Sequence, residues 1–169
     1  MAEATIDTAN RQPRDGRPMT ADEQAAFLAR PFACHLGCLD DDGHPYVIPL
    51  WFEHADGGFY FVARGRAAWA RYLQRDGRAS LSIVSSENRS HRVLVKGMAE
   101  VVEEANVGGR WFELNRRLSY RYMPTEEIAA RYVELTRDEP RWLIFVRPVR
   151  TTTWMGGWAP KYKHADWTM

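Results

Sequence analysis

The chain is short of several features that would point directly to a function. Among its 169 residues are only three lysines and two cysteines, Cys34 and Cys38, and the net charge is +1. A nearly neutral chain has no bulk electrostatic attraction to nucleic acid. Because it also lacks an apolar run of about 18 residues, the sequence predicts no membrane span. We therefore expect neither nucleic acid nor a membrane as a partner, and the two cysteines are typical of a protein in the reducing cytoplasm.

Common catalytic and nucleotide-binding motifs are absent as well. The sequence contains no GxxxxGK[ST] phosphate loop, no GxGxxG, no HExxH zinc motif and no GxSxG nucleophile motif. Cys34 and Cys38 have no second pair of cysteines to complete a zinc site, so we interpret them as core residues and predict no metal. No side chain can be named as catalytic. If the protein is an enzyme, we expect a cofactor to supply the chemistry.

The pattern of turns and hydrophobic alternation predicts a mainly β domain of the α+β class. Thr20 and Glu23 form a capping box that begins a short helix. Three strands, a second helix and two further strands follow, on the evidence of alternating apolar residues and glycine-rich turns. Helical segments then cover about 105–135, with a break at Pro124. The last strand runs to Trp154.

We expect the six antiparallel strands to close into a barrel with peripheral helices, since closure removes exposed strand edges. Gly97 predicts a bulge or bend in the fifth strand, and Pro148 an edge or a bend in the sixth. The barrel domain is expected to span residues 20–158. A flexible N-terminal arm precedes it at 1–19, and a C-terminal tail follows at 159–169.

Arginine is abundant and lysine is scarce, with 20 arginines against three lysines. Arg64, Arg66 and Arg71 cluster at the predicted start of the second helix. The free backbone N–H groups of a helix start favour anions, and guanidinium groups add paired donors. The stretch therefore predicts a phosphate site, with codon bias and a solvated helix face as the alternatives. The preceding strand, "YVIPLW", would supply a flat apolar wall, so a planar ring with a phosphate tail fits the pair of features.

Three segments carry a family resemblance: "GHPYVIPLWFEHADGGFYFVARGRAAWARYL", "HRVLVKG" and "PVRTTTWMG". In order and spacing they resemble the flavin-binding split-barrel family, whose type member is pyridoxamine 5'-phosphate oxidase. The resemblance covers about residues 20–158. It implies a six-stranded split barrel that binds FMN at a homodimer interface. It also implies an oxidoreductase that transfers hydride to or from a small aromatic or conjugated substrate.

The resemblance also implies which residues contact the cofactor. The oxidases hold the phosphate with Ser-Arg-Lys, where this chain has Ala67, Ala68 and Trp69, so nearby arginines would replace the missing charges. The cofactor site implied by the first segment consists of Val47, Ile48, Pro49, Leu50, Val62 and Ala63 against the ring, the adjoining Trp51 and Trp69, and Arg64, Arg66 and Arg71 toward the phosphate.

The other two segments imply contacts near the flavin ring. Arg92 takes the place of a glutamine that faces the flavin, where an arginine would stabilise the negative charge that forms on reduction. Trp154 takes the place of a tryptophan that reaches the flavin of the partner subunit. Trp111 and Trp158 are candidates for an aromatic substrate pocket. Beyond Trp154 the oxidases have a substrate clamp, RLHDR, where this chain has "WAPKYK". Pyridoxamine 5'-phosphate is therefore not the expected substrate.

Two alternatives to an FMN enzyme remain open on the sequence. Some similar split barrels are reductases that use the deazaflavin coenzyme F420, and the arginines around residues 64–78 would suit its polyanionic tail. Others bind haem or carry a cofactor without catalysis. In that case His35, His91 or His164 would be the candidate axial ligands.

Overall fold

The structure is a computed structural model, and it describes residues 16–88 and 90–157. Within these residues the helices are α1 (Ala21–Leu28), α2 (Ala68–Arg75), α3 (Trp111–Tyr122) and α4 (Glu126–Leu135). The strands are β1 (Cys34–Leu39), β2 (Pro45–Leu50), β3 (Glu53–Ala55), β4 (Gly58–Arg64), β5 (Arg78–Val84), β6 (Arg92–Asn106) and β7 (Arg141–Trp154). The mainly β class is confirmed.

The strands form one antiparallel sheet in the order β2-β1-β5-β6-β7-β4-β3. β2 and β3 lie at opposite ends of this order, yet only Trp51 and Phe52 separate them along the chain. The two edges of the sheet must therefore meet at this junction, which closes the sheet into a barrel. The expected barrel architecture follows from this connection.

The strand count differs from the expectation by one, because the predicted second strand is divided into β2 and β3. The division falls at Phe52, whose side chain is fully buried. The Tyr122 hydroxyl lies 3.3 Å from the Phe52 carbonyl oxygen and 3.4 Å from its amide nitrogen. The Tyr122 side chain of α3 thus bonds to the backbone at the junction. On one side of it β2 pairs with β1, and on the other side β3 pairs with β4.

A bulge interrupts the long pair β6–β7 near its middle, as the glycine and the proline predicted. Lys96 pairs with Arg150 but Gly97 pairs with Pro148, so Val149 is an extra residue on β7. A Cβ atom on Gly97 would lie 2.7 Å from the carbonyl oxygen of Arg147, which explains the glycine. The bulge bends β7 around the barrel.

Two hydrophobic clusters fill the domain. The larger cluster occupies the barrel interior, and the smaller one lies under α3, where Trp111, Leu114 and Leu118 pack on Leu143 of β7. Cys34 and Cys38 belong to the barrel core and are both free thiols. Burial raises the pKa of the Cys34 thiol to about 12.

The helix boundaries follow local signals. Thr20 and Glu23 form the expected capping box, and Arg17 pairs with Glu23 at 2.6 Å. The pKa of Glu23 falls to about 2, because its carboxylate accepts hydrogen bonds from Arg17 and from the backbone of Thr20. Pro124 separates α3 from α4 as expected. The helical region begins at Trp111 rather than near 105, because β6 continues to Asn106.

Residues 16–19, which belong to the predicted arm, contact the end of β7. Arg17 and Met155 exchange backbone hydrogen bonds, and the Met19 amide donates to Thr153 Oγ1 at 2.9 Å. The rest of the predicted arm and the predicted tail lie outside the described residues. Among the described helices, none has the length and apolar character that crossing a membrane requires.

Candidate functional site

A cavity of about 810 Å³ opens where the ends of β2 and β4 face α2, α3 and α4. One side is apolar, because it is formed by Pro49 and Leu50 at the end of β2, Trp51 just after it, and Val62 and Ala63 near the end of β4. The two strands reach the same place because the barrel closes at the β2–β3 junction. The cavity is large enough for a planar ring system with a polar tail.

Aromatic side chains form a second wall. The indole of Trp51 stacks on Tyr122, with ring centroids 5.3 Å apart and planes at 11°. Tyr132 of α4 meets the same indole edge-on at 6.0 Å. Leu118 and Met123 continue this wall along α3 and its C-terminal end. Because Tyr122 is also bonded to the Phe52 backbone, the position of Trp51 depends on the contact that closes the barrel.

The N-terminus of α2 faces the cavity without a cap. Ala67 is the N-cap residue and provides no side-chain hydrogen bond, and both Ala67 and Trp69 line the cavity. The first N–H groups of an α-helix have no partners within the helix and carry a partial positive charge. This end of the cavity is therefore suited to an anion.

Arginines add to the positive charge at this end. Arg64 and Arg66 line the cavity and are solvent-exposed. Within residues 16–88 and 90–157, neither forms an ion pair with a carboxylate, and no acidic residue lines the cavity. The phosphate site expected from the sequence stays a prediction.

Arg141 is a cavity residue that the sequence reasoning missed. It begins β7 directly opposite Arg64 of β4, and its side chain is only 3% exposed. One guanidinium nitrogen donates to Glu139 at 2.9 Å, and the Nε atom has no hydrogen-bond partner. The rings of Trp111 and Tyr132 lie 5.8 and 5.9 Å from the guanidinium carbon. The only signal in the sequence is an arginine that directly precedes the apolar run "WLIFV".

The cavity brings together most of the residues expected to contact the cofactor, but not all. Val47 is 63% exposed on the outer face of β2, and Ile48 packs against the barrel core. Arg71 is exposed on α2 and is not among the lining residues. The expected cofactor residues that do line the cavity are Pro49, Leu50, Trp51, Val62, Ala63, Arg64, Arg66 and Trp69.

Arg92 and Trp154 form a pair of their own, away from this cavity. They lie opposite each other on β6 and β7, with the guanidinium carbon 5.9 Å from the indole centroid. Neither residue is among those that line the cavity. One chain therefore does not bring this pair to the ligand that its own cavity would hold.

The two expected substrate residues differ in their placement. Trp111 is fully buried under α3, where its indole nitrogen donates to the Asn106 carbonyl oxygen at 2.9 Å. It has no exposed surface through which to contact a substrate. Trp158 lies outside the described residues.

The candidate haem ligands lie away from the cavity, as far as the structure describes them. His35 is exposed on the outer face of β1, and a His91 ring nitrogen lies 3.1 Å from the side-chain nitrogen of Asn88. His164 lies outside the described residues. No histidine is among the residues that line the cavity.

A second, shallower groove of about 400 Å³ runs across the outer face of the sheet. Gly37 lies within it, and a Cβ atom there would come 2.7 Å from Ser80 Oγ. Val47 and Leu94, which are 63% and 39% exposed, give the groove apolar surface. Lys96 and Arg150 add positive charge.

Comparison with known proteins places the fold. Residues 20–154 match the family model described as pyridoxamine 5'-phosphate oxidase. No curated protein matches the chain. A solved structure described as an F420 reductase is 23% identical, with a TM-score of 0.56, over 75% of this chain and 93% of that one.

Two further solved structures share the architecture. A conserved hypothetical protein from Mycobacterium tuberculosis is 22% identical, with a TM-score of 0.62, over 85% of this chain and 89% of that one. HutZ, the haem storage protein from Vibrio cholerae, is 19% identical, with a TM-score of 0.60, over 81% of this chain and 96% of that one. At these identities the likeness is one of fold.

Proposed function

This chain belongs to the pyridoxamine 5'-phosphate oxidase family, and from that membership we propose that it is an FMN-dependent oxidoreductase. The supporting observation is the cavity, which joins a flat apolar wall to an uncapped helix N-terminus flanked by arginines. A planar isoalloxazine ring with a phosphate tail needs both features side by side. When bound, FMN supplies hydride transfer, for which the side chains alone provide no apparatus.

The residues fit the cofactor in two parts. The ends of β2 and β4 would hold the ring through Pro49, Leu50 and Val62, with the Trp51 indole at the side. Arg64 and Arg66 would bind the phosphate together with the free N–H groups of α2, replacing the charges that the family carries in the following turn. The chain's own contribution is binding, orientation and the exclusion of water by the aromatic wall.

We propose that the protein acts as a homodimer. Arg92 and Trp154 lie away from the cavity of their own chain, so a second copy is needed to bring such a pair to the flavin. The groove on the outer face offers the exposed Val47 and Leu94 as apolar surface for that contact. In this arrangement residues 20–158 form the flavin domain, flanked by an arm and a tail. We place it in the cytoplasm, since both cysteines are free thiols.

The substrate proposed is a small aromatic or conjugated molecule, because the rings of Trp51 and Tyr132 line the cavity and Tyr122 stacks on Trp51. Pyridoxamine 5'-phosphate itself is disfavoured by "WAPKYK" at the place of the family's substrate clamp. The second candidate is a reductase that uses the deazaflavin coenzyme. The observation that favours it is the number of arginines in a cavity with no acidic lining residue, which would suit a tail more negative than one phosphate.

The absorption spectrum of the purified protein tests the proposal. An oxidised-flavin spectrum with FMN released on heating supports the FMN enzyme. Colourless protein that binds added deazaflavin coenzyme but not FMN supports the second candidate, and a Soret band would show a haem protein instead. Arg64→Ala and Arg66→Ala should each weaken FMN binding about 10- to 100-fold, the usual value of a hydrogen bond to a charged group. Arg147→Ala, an exposed β7 residue outside the cavity, is the matched control.

A further inference from the structure

Two arginines lie opposite each other where β4 pairs with β7, and both line the cavity. Arg64 and Arg141 are direct antiparallel partners, so both side chains leave the sheet on the same side. Directly opposite residues have Cβ atoms about 5 Å apart, and like charges in that position repel. The pairing of β4 with β7 therefore places two positive charges together, and the carboxylate of Glu139 pairs with one of them, Arg141.

Arg141 is the more deeply buried of the two arginines. Its side chain is 3% exposed, between the rings of Trp111 and Tyr132. Its Nε atom is buried without a hydrogen-bond partner. A buried donor of a charged group normally has a partner, because leaving it unpaired is costly. Arg141 lines the cavity, so a ligand there can contact its guanidinium group.

The local charge indicates what kind of ligand the guanidinium group of Arg141 would bind. Arg64, Arg66 and Arg141 line the cavity, and the described carboxylate that pairs with any of them is Glu139. Three positive charges against one negative charge leave a net charge of about +2. The uncapped N-terminus of α2 adds a partial positive charge beside them. A doubly charged phosphate group matches this charge.

We propose that Arg141 and Arg64 together form a phosphate-binding site in the cavity, where β4 pairs with β7, with Arg141 as its buried member. The phosphate belongs either to the cofactor or to a phosphorylated substrate. The assignment to one of these sources rests on the proposed function, whereas the phosphate site itself does not require a flavin.

The thermal stability of the ligand-free protein tests the site, with inorganic phosphate as the probe. The Tm should rise by about 3–6 °C when phosphate exceeds its Kd tenfold, relative to sodium chloride at equal ionic strength. Arg141→Met should abolish this rise, as should Arg64→Met, which changes an exposed residue and keeps the fold testable. Arg147→Met, the exposed arginine paired with Glu100 on the same strand, should retain it. A wild-type Tm that does not respond to phosphate, or an unchanged response in both cavity variants, would overturn the proposal.

Flavin titrations then identify the source of the phosphate. If it is the cofactor's, Arg141→Met should lower the affinity for FMN at least tenfold without changing that for riboflavin, and FMN-loaded protein should no longer respond to phosphate. If it is the substrate's, FMN affinity should be unchanged in Arg141→Met, and FMN-loaded wild type should still respond. A protein that responds to phosphate but binds no flavin would refute the proposed function and leave the phosphate site supported.

Discussion

The contact that closes the barrel gives a prediction of stability. The Tyr122 hydroxyl lies 3.2 Å from the Phe32 carbonyl oxygen, 3.3 Å from the Phe52 carbonyl oxygen and 3.4 Å from the Phe52 amide nitrogen. Tyr122→Phe removes these bonds and keeps the ring that stacks on Trp51. One hydrogen bond contributes about 0.5–1.5 kcal/mol net, and these are at the long end of the range. We expect a loss of about 1–2 kcal/mol, or about 3–6 °C in Tm for a chain of this size.

Urea denaturation, followed by tryptophan fluorescence, measures the effect. Tyr120→Phe is the matched control, because Tyr120 lies on the same helix and is 45% exposed. It should change the free energy of unfolding by less than about 0.5 kcal/mol, as most surface substitutions do. If Tyr122→Phe is as stable as this control, the junction between β2 and β3 is not held by α3 and the reasoning fails.

The same hydroxyl gives a pH dependence. Burial raises the pKa of Tyr122 above its usual value. A group whose pKa is higher in the folded protein than in the unfolded chain stabilises the fold below the unfolded pKa. That stability is lost as the pH rises through the folded value. The wild type should therefore lose more stability than Tyr122→Phe above about pH 10, the usual pKa of a tyrosine.

Three further substitutions probe the core, the cavity and the sheet. Burial raises the pKa of Cys34 from 9.0 to about 12. The wild type should therefore lose about 1 kcal/mol of stability between pH 8 and pH 10 that Cys34→Ala does not lose, as urea denaturation at both pH values would show. Arg64→Met should stabilise the ligand-free protein by about 0.5 kcal/mol, since it removes a like charge opposite Arg141, and it should weaken FMN binding. A lower urea midpoint in this variant would contradict the proposed repulsion between the two arginines. Gly58→Ala should lower the free energy of unfolding by about 1–3 kcal/mol, because the added Cβ overlaps the Phe145 ring and lies 2.7 Å from a backbone oxygen. An unchanged urea midpoint would show that β7 can shift to make room for the added Cβ.

Most of the fold could be predicted from local sequence patterns. The capping box at Thr20 and the break at Pro124 were predicted, because each depends on neighbouring residues only. A bulge or bend at Gly97 was predicted from the glycine itself, although its register depends on the pairing of β6 with β7. The division of the second strand could not be predicted in this way. Trp51 and Phe52 continue its apolar pattern, and the tyrosine that bonds the backbone there is 70 residues away.

The candidate site shows the same limit. The apolar wall and the arginines at the start of α2 lie within one continuous segment, so the sequence could group them. Arg141 reaches the cavity only through the pairing of β4 with β7, which no local pattern specifies. Trp111 was assigned from its residue type alone, and the structure buries it in the core under α3.

The relative affinity of the ligand-free protein for FMN and riboflavin is the most direct test of the proposed cofactor site. The two ligands share the ring and differ by the phosphate, so their ratio isolates the anion-binding end of the cavity. With Arg64 and Arg66 each worth about 1.5–3 kcal/mol to a phosphate, FMN should bind at least about 100-fold more tightly. The preference should shrink in Arg64→Ala and Arg66→Ala. Equal affinities for the two ligands, or no binding of either, would contradict the account.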